Sequence, residues 1–375
     1  MPTDPAYQVV SRDDFGAMIL PDRYARRSPL FEEIIARTEE HFWNPEDPDY
    51  VDFATPLPKG ETIVPDWFVM ERHTSVWDRL DDGQRERFVN ESARWSLSNI
   101  LHGEAGALGL SASLCEMFLD PGAQEYAANQ VREEARHVHA FTRYMDARFG
   151  VAPYPVGDTV GDLLKELVGT PVVYKKIVGM QMLVEGVAMG AFATFFKVAN
   201  DPLLRRVCQL VMTDEAFHHR FGKIWARDTM PRLSREEHDA VEDWAVQVFE
   251  TLLFNLVNPK QKRLIYPQFG LDAEWVRGAV MEAVTDDQRR QLMRRSSNVF
   301  RTLVKTLHTA GIITARTHAR YAMWVDMEEL AAEGDRMVGD DIAEEGIRTL
   351  KEINAGKRKV VRRAVQRTSA GRPGA

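Results

Sequence analysis

Between about residues 86 and 228, apolar residues recur every three to four positions, and the alternation typical of strands is absent. This period predicts helices, and two turn signals, at Asp120-Pro121-Gly122 and at Asn200-Asp201-Pro202, divide them. The predicted helices cover residues 86–118, 123–148, 172–199 and 202–228. The pattern therefore predicts two helical hairpins, which together form a four-helix bundle over residues 86–230.

The chain on either side of the bundle has a different pattern. Prolines interrupt residues 1–85, where we expect an irregular lead-in, and tryptophans such as Trp43 indicate that it packs on the bundle. Residues 231–355 are again helical in pattern, so the predicted fold is all-α, a four-helix bundle with additional flanking helices. The expected flanking helices cover residues 236–257, 286–310 and 312–332. Residues 356–375 are basic, and we expect a flexible tail there or a segment that binds a partner.

Composition narrows the class of protein. The chain has 375 residues, of which 44% are hydrophobic and 28% charged, the mix of a soluble globular protein. No run reaches the roughly 18 consecutive apolar residues of a membrane helix, and no secretory signal is visible. Two cysteines are too few for a disulfide scaffold or a Cys-rich zinc site. A net charge of -8 argues against general nucleic-acid binding. We expect a cytoplasmic protein that binds neither nucleic acid nor membrane.

Two matching segments contain the candidate chemistry. Each has the form acid-Glu-x-x-His, and a glutamate and a histidine three residues apart share one face of a helix. They are Glu134 with His137, preceded by Glu133, and Glu215 with His218, preceded by Asp214. A carboxylate and an imidazole placed in this way can bind the same metal ion.

A further glutamate precedes each motif by the same interval, Glu104 in the first half and Glu185 in the second. From Glu104 the chain runs roughly 22 Å to the turn and roughly 18 Å back to Glu134, so an antiparallel hairpin brings the two glutamates nearly level. Glu185 and Glu215 are related in the same way in the second half. Each residue of the first set has a counterpart in the second set, and the distance along the chain between counterparts is constant. Four inward glutamates and two histidines are therefore expected at one level of the bundle.

This set of side chains suits a carboxylate-bridged pair of metal ions. Carboxylate oxygens with two imidazoles favour iron or manganese, and unpaired acids in a bundle core would otherwise be costly. Glu133 and Asp214 lie one step around the helix, where each could accept the second ring N–H of a metal-binding histidine across the bundle.

At these residues the chain resembles the ferritin-like, ribonucleotide-reductase-like di-iron carboxylate proteins. Their pattern is a Glu from each of two helices and a Glu-x-x-His from each of the other two. The resemblance covers roughly residues 90–228 and implies a ferritin-like fold. It implies metal ligands at Glu104, Glu134, His137, Glu185, Glu215 and His218, supported by Glu133 and Asp214. The acid-Glu-x-x-His form is most similar to bacterial multicomponent monooxygenase hydroxylases and acyl-carrier desaturases.

Three departures from related families affect the functional prediction. Phe141 stands where ribonucleotide reductase small subunits carry a radical tyrosine, which argues against a tyrosyl radical. Ala188 and Met189 occupy the turn where monooxygenase hydroxylases carry a threonine. The N-oxygenase family that resembles this fold has a third histidine at the position of Val211, so we rank N-oxygenation below hydroxylation and desaturation.

The resemblance implies an O2-activating non-haem di-iron oxidoreductase. We expect a monooxygenase or hydroxylase that uses two Fe ions, or Mn and Fe, with O2 as co-substrate. Its substrate would be apolar or aromatic, free or carrier-bound, and its electrons would come from a ferredoxin or reductase. A homodimer is the expected assembly. The alternatives are a desaturase or N-oxygenase, then a ferroxidase or iron-binding protein, and a helical interaction protein without metal.

Two features of the sequence leave alternatives open. Small residues near Glu185, among them Gly186 and Gly190, indicate either close helix packing or room for substrate. A group of arginines after residue 286 forms a basic helix face that either is solvated or docks an acidic carrier or redox partner. These arginines are Arg289, Arg290, Arg294, Arg295 and Arg301.

Overall fold

The computed structural model describes residues 3–4, 6–38, 40–255, 259–283, 285–287, 290, 299–332 and 336–370. Within these ranges the only paired strands are β1 (Thr3–Asp4) and β2 (Val9–Val10), which are antiparallel with Thr3 opposite Val10. The α-helices are α1 (Phe15–Met18), α2 (Glu32–Thr38), α3 (Asp82–Cys115), α4 (Pro121–Arg148), α5 (Asp158–Gly169), α6 (Val173–Val198), α7 (Pro202–Thr229), α8 (Arg235–Asn255), α9 (Ala273–Ala283), α10 (Val299–Thr309), α11 (His318–Ala322), α12 (Met327–Ala332) and α13 (Asp340–Ala370). Short 3-10 turns cover Pro21–Arg26, Pro29–Phe31, Asp66–Phe68, Met70–His73, Trp77–Arg79, Met230–Arg232, Pro259–Lys262 and Tyr266–Phe269.

Helices α3, α4, α6 and α7 form the four-helix bundle, and local capping explains where three of them begin. Asp81 and Gln84 form a reciprocal capping box at the start of α3. Asp120 and Asp201 accept backbone N–H groups at the starts of α4 and α7, each followed by a proline at the first helical position. The prediction of an all-α, ferritin-like bundle with flanking helices is confirmed.

The core of the bundle consists of two apolar clusters, one towards each end. The first includes Leu110, Leu114, Tyr126, Leu183 and Phe221. The second includes Leu97, Phe141, Phe192, Leu204 and Val211. On each of the four helices the predicted metal ligands lie between residues of the two clusters. The acids and histidines therefore form one polar layer that apolar side chains enclose from both ends of the bundle.

Flanking helices cover this bundle closely. Helix α5 packs on α3, α10 packs on α6, and α13 packs along α7. A Cβ atom at Gly186 would lie 2.4 Å from Leu303, and one at Gly190 would lie 2.5 Å from Val299. These two glycines therefore serve close packing of α10 on α6 rather than leaving room for a substrate.

Some flanking elements differ from the prediction. Residues 312–332 form two short helices instead of one. Glu242 accepts hydrogen bonds from Thr314 and Thr317 and holds the chain before α11 in a loop. Asp326 accepts the backbone N–H groups of Glu328 and Glu329 and starts the second helix. Helix α5 was not predicted, and α13 continues to Ala370 through most of the segment expected to be a tail.

The predicted basic face lies partly outside the described residues, which leave out Arg289, Arg294 and Arg295. Arg301 does not belong to a solvated face, since it is buried and lies 3.5 Å from Glu329.

Helix α6 is long and apolar enough to cross a membrane by length and composition. However, 72% of its most apolar window is buried inside the protein. Its apolar character is that of a core helix of the bundle.

Candidate metal centre

The six predicted ligands converge on two points in the polar layer. Three glutamate oxygens face Nδ1 of His137, namely Glu104 Oε2 at 3.1 Å, Glu215 Oε1 at 3.1 Å and Glu134 Oε2 at 3.4 Å. Nδ1 can carry at most one hydrogen, and one N–H cannot satisfy three carboxylate acceptors. Such a convergence of one nitrogen and three oxygens fits a cation.

The second point lies at His218. Its Nδ1 faces Glu134 Oε1 at 3.0 Å, Glu215 Oε2 at 3.2 Å and Glu185 Oε2 at 3.9 Å. Glu134 and Glu215 thus direct one oxygen to each point, whereas Glu104 and Glu185 each belong to one. Glu134 Oε2 and Glu215 Oε1 are buried without a hydrogen-bond donor. These orphaned oxygens and the shared carboxylates fit a pair of bridged metal ions.

The second ring nitrogen of each histidine bonds to an acid on the opposite helix. His137 Nε2 lies 2.9 Å from Asp214 Oδ2, and His218 Nε2 lies 2.9 Å from Glu133 Oε2. Each acid thereby favours a proton on Nε2 and leaves Nδ1 for the metal point. Glu133 and Asp214 therefore orient the two imidazoles across the bundle.

Three further side chains contact the carboxylate of Asp214. Trp43 donates its indole N–H to Asp214 Oδ2 at 2.9 Å, and Arg136 donates to the same oxygen at 2.6 Å. His41 Nε2 lies 3.3 Å from Asp214 Oδ1. The lead-in thus reaches the polar layer through two side chains. The sequence pattern missed His41, since nothing in its spacing relates it to α7.

Burial sets the protonation of the glutamates in the metal-free protein. It raises the pKa of Glu104 and of Glu185 well above the usual value. Burial acts on Glu134 and Glu215 as well, but the imidazoles beside them outweigh it and lower the pKa of both. The shared pair is therefore ionised, and the two outer acids tend to keep a proton.

The carboxylates of the layer favour the charged form of both imidazoles. Burial alone would lower the pKa of His137 and His218, but bonds to Asp214 and Glu104 raise that of His137. The charges of Glu215 and Glu134 raise the pKa of His218.

Two buried glutamines complete the layer. Gln130 Nε2 donates to Glu134 Oε1 at 3.0 Å and to Glu185 Oε1 at 3.2 Å, and Gln130 Oε1 accepts from Gln181 Nε2 at 3.0 Å. We did not predict either residue from the sequence. Each lies one helical turn before a predicted ligand, and this spacing was the available signal.

A cavity of about 750 Å³ lies against α7, between α2 and α13. Its wall includes Met189, one turn after Glu185, and Ala216 and Phe217, which follow Glu215. Charged groups of both signs line the rest, including Glu33, Arg37, Arg220 and Glu344. A cavity of this size and mixed lining can hold a small organic molecule.

The fold and the paired metal points define a ferritin-like carboxylate di-metal protein. The family model described as p-aminobenzoate N-oxygenase AurF matches residues 26–311, which is more than half of the chain. The chain therefore belongs to the AurF family of di-iron N-oxygenases. The expected di-iron enzyme class is confirmed.

Solved structures with a similar arrangement of helices include two R2-like ligand-binding oxidases, each 16% identical in sequence. One is from Sulfolobus acidocaldarius and has a TM-score of 0.42. The other is a variant with an aerobically reconstituted Mn/Fe cofactor and has a TM-score of 0.39. Each comparison covers 68% of this chain and 91% of the other. No curated protein matches the sequence significantly.

The family match supports N-oxygenation better than the hydroxylation that we ranked first. That ranking depended on Val211, which the structure buries in the second apolar cluster. One substituted position weighs less than a pattern that extends over residues 26–311.

Proposed function

We propose that this protein is a di-iron N-oxygenase that transfers one oxygen atom of O2 to the nitrogen of a small aromatic amine. The observation that carries the proposal is the pair of convergent points with two shared glutamates, in a chain of the AurF family. The residues that would hold the two iron ions are Glu104, Glu134, His137, Glu185, Glu215 and His218. The same donors would also accept manganese at one position.

Bound iron would supply the activation of O2, and the protein supplies ligands and a dry surrounding. Glu133 and Asp214 keep a proton on Nε2 of each imidazole, so that Nδ1 stays available as a ligand. For one N-hydroxylation, one oxygen atom goes to the amine nitrogen and the other leaves as water. The balance requires two electrons and two protons.

The cavity beside Met189, Ala216 and Phe217 is the proposed substrate site. The apolar side chains of Met189 and Phe217 in its wall suit an aromatic ring, and Met189 follows the proposed ligand Glu185 by one turn of α6. Acidic and basic side chains alternate at the rim, as in the ion pair of Arg37 with Glu33 at 2.9 Å. We therefore expect the cavity to select its substrate by shape more than by net charge.

The electrons would come from an external ferredoxin or reductase, since the sequence contains no flavin or nicotinamide motif. We further propose a cytoplasmic location, in keeping with two cysteines that are both free thiols in the structure. We also propose that the protein forms a homodimer and that its substrate can be bound to a carrier.

The test is a single-turnover reaction with p-aminobenzoate and related aryl amines. Purified protein is loaded anaerobically with Fe(II), mixed with ¹⁸O2, and the products are identified by mass spectrometry. We expect about two irons per chain and ¹⁸O bound to nitrogen. Glu134→Ala and Glu215→Ala should lose both iron and product. His139→Ala is the matched control, because His139 lies on α4 but contacts exposed Glu46 instead of the polar layer.

Hydroxylation of an aromatic or apolar C–H bond is the second candidate. Val211, in place of the third histidine of N-oxygenases, favours it. The same assay separates the two reactions, because ¹⁸O on a ring carbon supports hydroxylation and ¹⁸O on nitrogen supports N-oxygenation. Protein that binds no iron would refute both.

A further inference from the structure

The two metal points differ in what surrounds them. At the point of His218, the amide of Gln130 donates to both Glu134 and Glu185. The offset that relates Glu134 to Glu215 also relates Gln130 to Val211, which lies one turn before Glu215 in the second half. The position equivalent to a hydrogen-bonding amide is therefore occupied by a side chain that cannot donate a hydrogen bond.

The orientation of the Gln130 amide is determined by its partners. Its NH2 group faces one oxygen each of Glu134 and Glu185, and the ionised carboxylate of Glu134 can only accept a hydrogen bond. Its carbonyl oxygen accepts from Gln181 at 3.0 Å. Gln130 and Gln181 are both fully buried, so water does not compete for these bonds. The pair thus acts as one oriented donor aimed at Glu134 and Glu185.

Close packing holds the Cβ end of Gln181, while its Oε1 is buried without a hydrogen-bond donor. It lies within a π-helical stretch, Ile177–Val184, that ends directly before Glu185. A Cβ atom at Gly222 of α7 would lie 3.0 Å from Cβ of Gln181, so α7 approaches this stretch closely where it has no side chain. π-helical stretches are rare and occur mostly at functional sites.

The amide contact leaves one oxygen of Glu185 for a metal. Glu185 Oε1 accepts from Gln130 at 3.2 Å, and Oε2 faces Nδ1 of His218 at 3.9 Å. A bond to Oε1 opposes rotation of the carboxylate towards binding through both oxygens. Hydrogen bonds that orient a ligand before the ion arrives raise metal affinity, and losing such a partner typically costs about 10–100-fold.

We propose that Gln130, anchored by Gln181, is a positioning residue that holds Glu185 as a one-oxygen ligand and makes the metal point at His218 the tighter of the two. The inference rests on the proposed di-metal centre, and it concerns the order in which the two points fill and empty. The point at His218 fills first, and the point at His137 loses its ion first.

The test is a titration of metal-free full-length protein with Co(II), monitored by calorimetry and by visible absorption. Competition with a chelator measures the affinity of the tighter site. Wild type should bind two ions with affinities that differ about tenfold or more. Gln130→Leu should weaken the tighter site about 10–100-fold, change its absorption band and leave the weaker site nearly unchanged. Gln181→Met should act in the same direction but less strongly, because it removes only the anchor.

Val211→Leu is the matched control, since it alters the equivalent position without adding or removing a hydrogen bond. It should leave the tighter affinity unchanged. Thermal unfolding of each metal-free variant separates a general loss of structure from a local effect on one site. If Gln130→Leu does not fold, Gln181→Met decides the question.

The outcomes distinguish failure of the inference from failure of the centre. Wild type that binds no ions would overturn the di-metal centre itself. Two ions with equal affinities, or a Gln130→Leu variant that weakens both sites equally, would overturn the positioning role and leave the centre intact.

Discussion

Loading the centre with two divalent ions should release protons at neutral pH. In the metal-free protein, burial raises the pKa of Glu104 and of Glu185 well above the usual value. The carboxylates beside His137 and His218 raise the pKa of these imidazoles, which burial alone would lower. Both shifts favour the protonated form of the four side chains. Metal ligands must be deprotonated, so binding expels every proton that these four side chains carry, up to four in all.

The assay is calorimetric titration in buffers with different ionisation enthalpies, where the slope gives the number of protons released. Each proton released per ion should raise the apparent binding constant of that ion about tenfold for each unit of pH. Fewer than one proton per ion, or an affinity independent of pH, would refute the assignment. It would mean that the outer acids are ionised and the imidazoles neutral before metal arrives.

The same shifts determine how the stability of the metal-free protein varies with pH. The raised pKa of His137 and His218 contributes stability that is complete below the unfolded value of about 6.5 and is lost as pH rises through the folded value. The lowered pKa of Glu134 and Glu215 contributes stability above about 4.5 that is lost as pH falls. Metal-free protein should therefore melt at lower temperature as pH rises above neutrality, and metal should restore stability most at high pH.

Three further predictions concern single residues. Asp214→Asn should lower metal affinity about 10–100-fold in chelator competition, because it disturbs the acceptor of an imidazole and of a buried arginine; unchanged affinity would contradict its orienting role. Gly186→Ala should destabilise the protein by about 1–3 kcal/mol in denaturant unfolding, since its Cβ would meet Leu303 at 2.4 Å. The control Gly103→Ala has no neighbour within 4 Å and should stabilise by up to about 1 kcal/mol. Asp201→Ala should cost about 3 kcal/mol and lower the melting temperature, because it removes a fully buried carboxylate that pairs with Arg148 at 2.6 Å and accepts the hydroxyl of Tyr144 at 2.7 Å.

The bundle was predictable because its signals are local. Helix period, proline turns and capping acids act within a few residues, and the predicted helices 123–148 and 202–228 agree closely with α4 and α7. The flanking region was harder to predict. Residues 312–332 have a helical pattern, but Glu242, far earlier in the chain, binds Thr314 and Thr317 and keeps the residues before His318 out of a helix. A side chain so distant in sequence leaves no local signal.

Spacing along the chain was enough to select six side chains for one layer. The signals were the Glu-x-x-His motif, the equal intervals from Glu104 to Glu134 and from Glu185 to Glu215, and the constant offset between the two halves. They suffice because helix rise and hairpin length convert sequence distance into height along the bundle. The order of N-oxygenation and hydroxylation could not be obtained in this way. It had depended on the single position of Val211, whereas family membership extends over residues 26–311.

The amino-acid sequence by itself determined the helices, the hairpins and the set of acids and histidines that share one level. The tertiary structure alone decided which acid bonds which imidazole, and that His41 and Trp43 reach Asp214. It also decided that Gln130 donates a hydrogen bond to both Glu134 and Glu185. The physical reason is that helix geometry depends on neighbours within a turn, whereas these hydrogen bonds join groups from separate helices and loops. Their partners are set by how the elements pack.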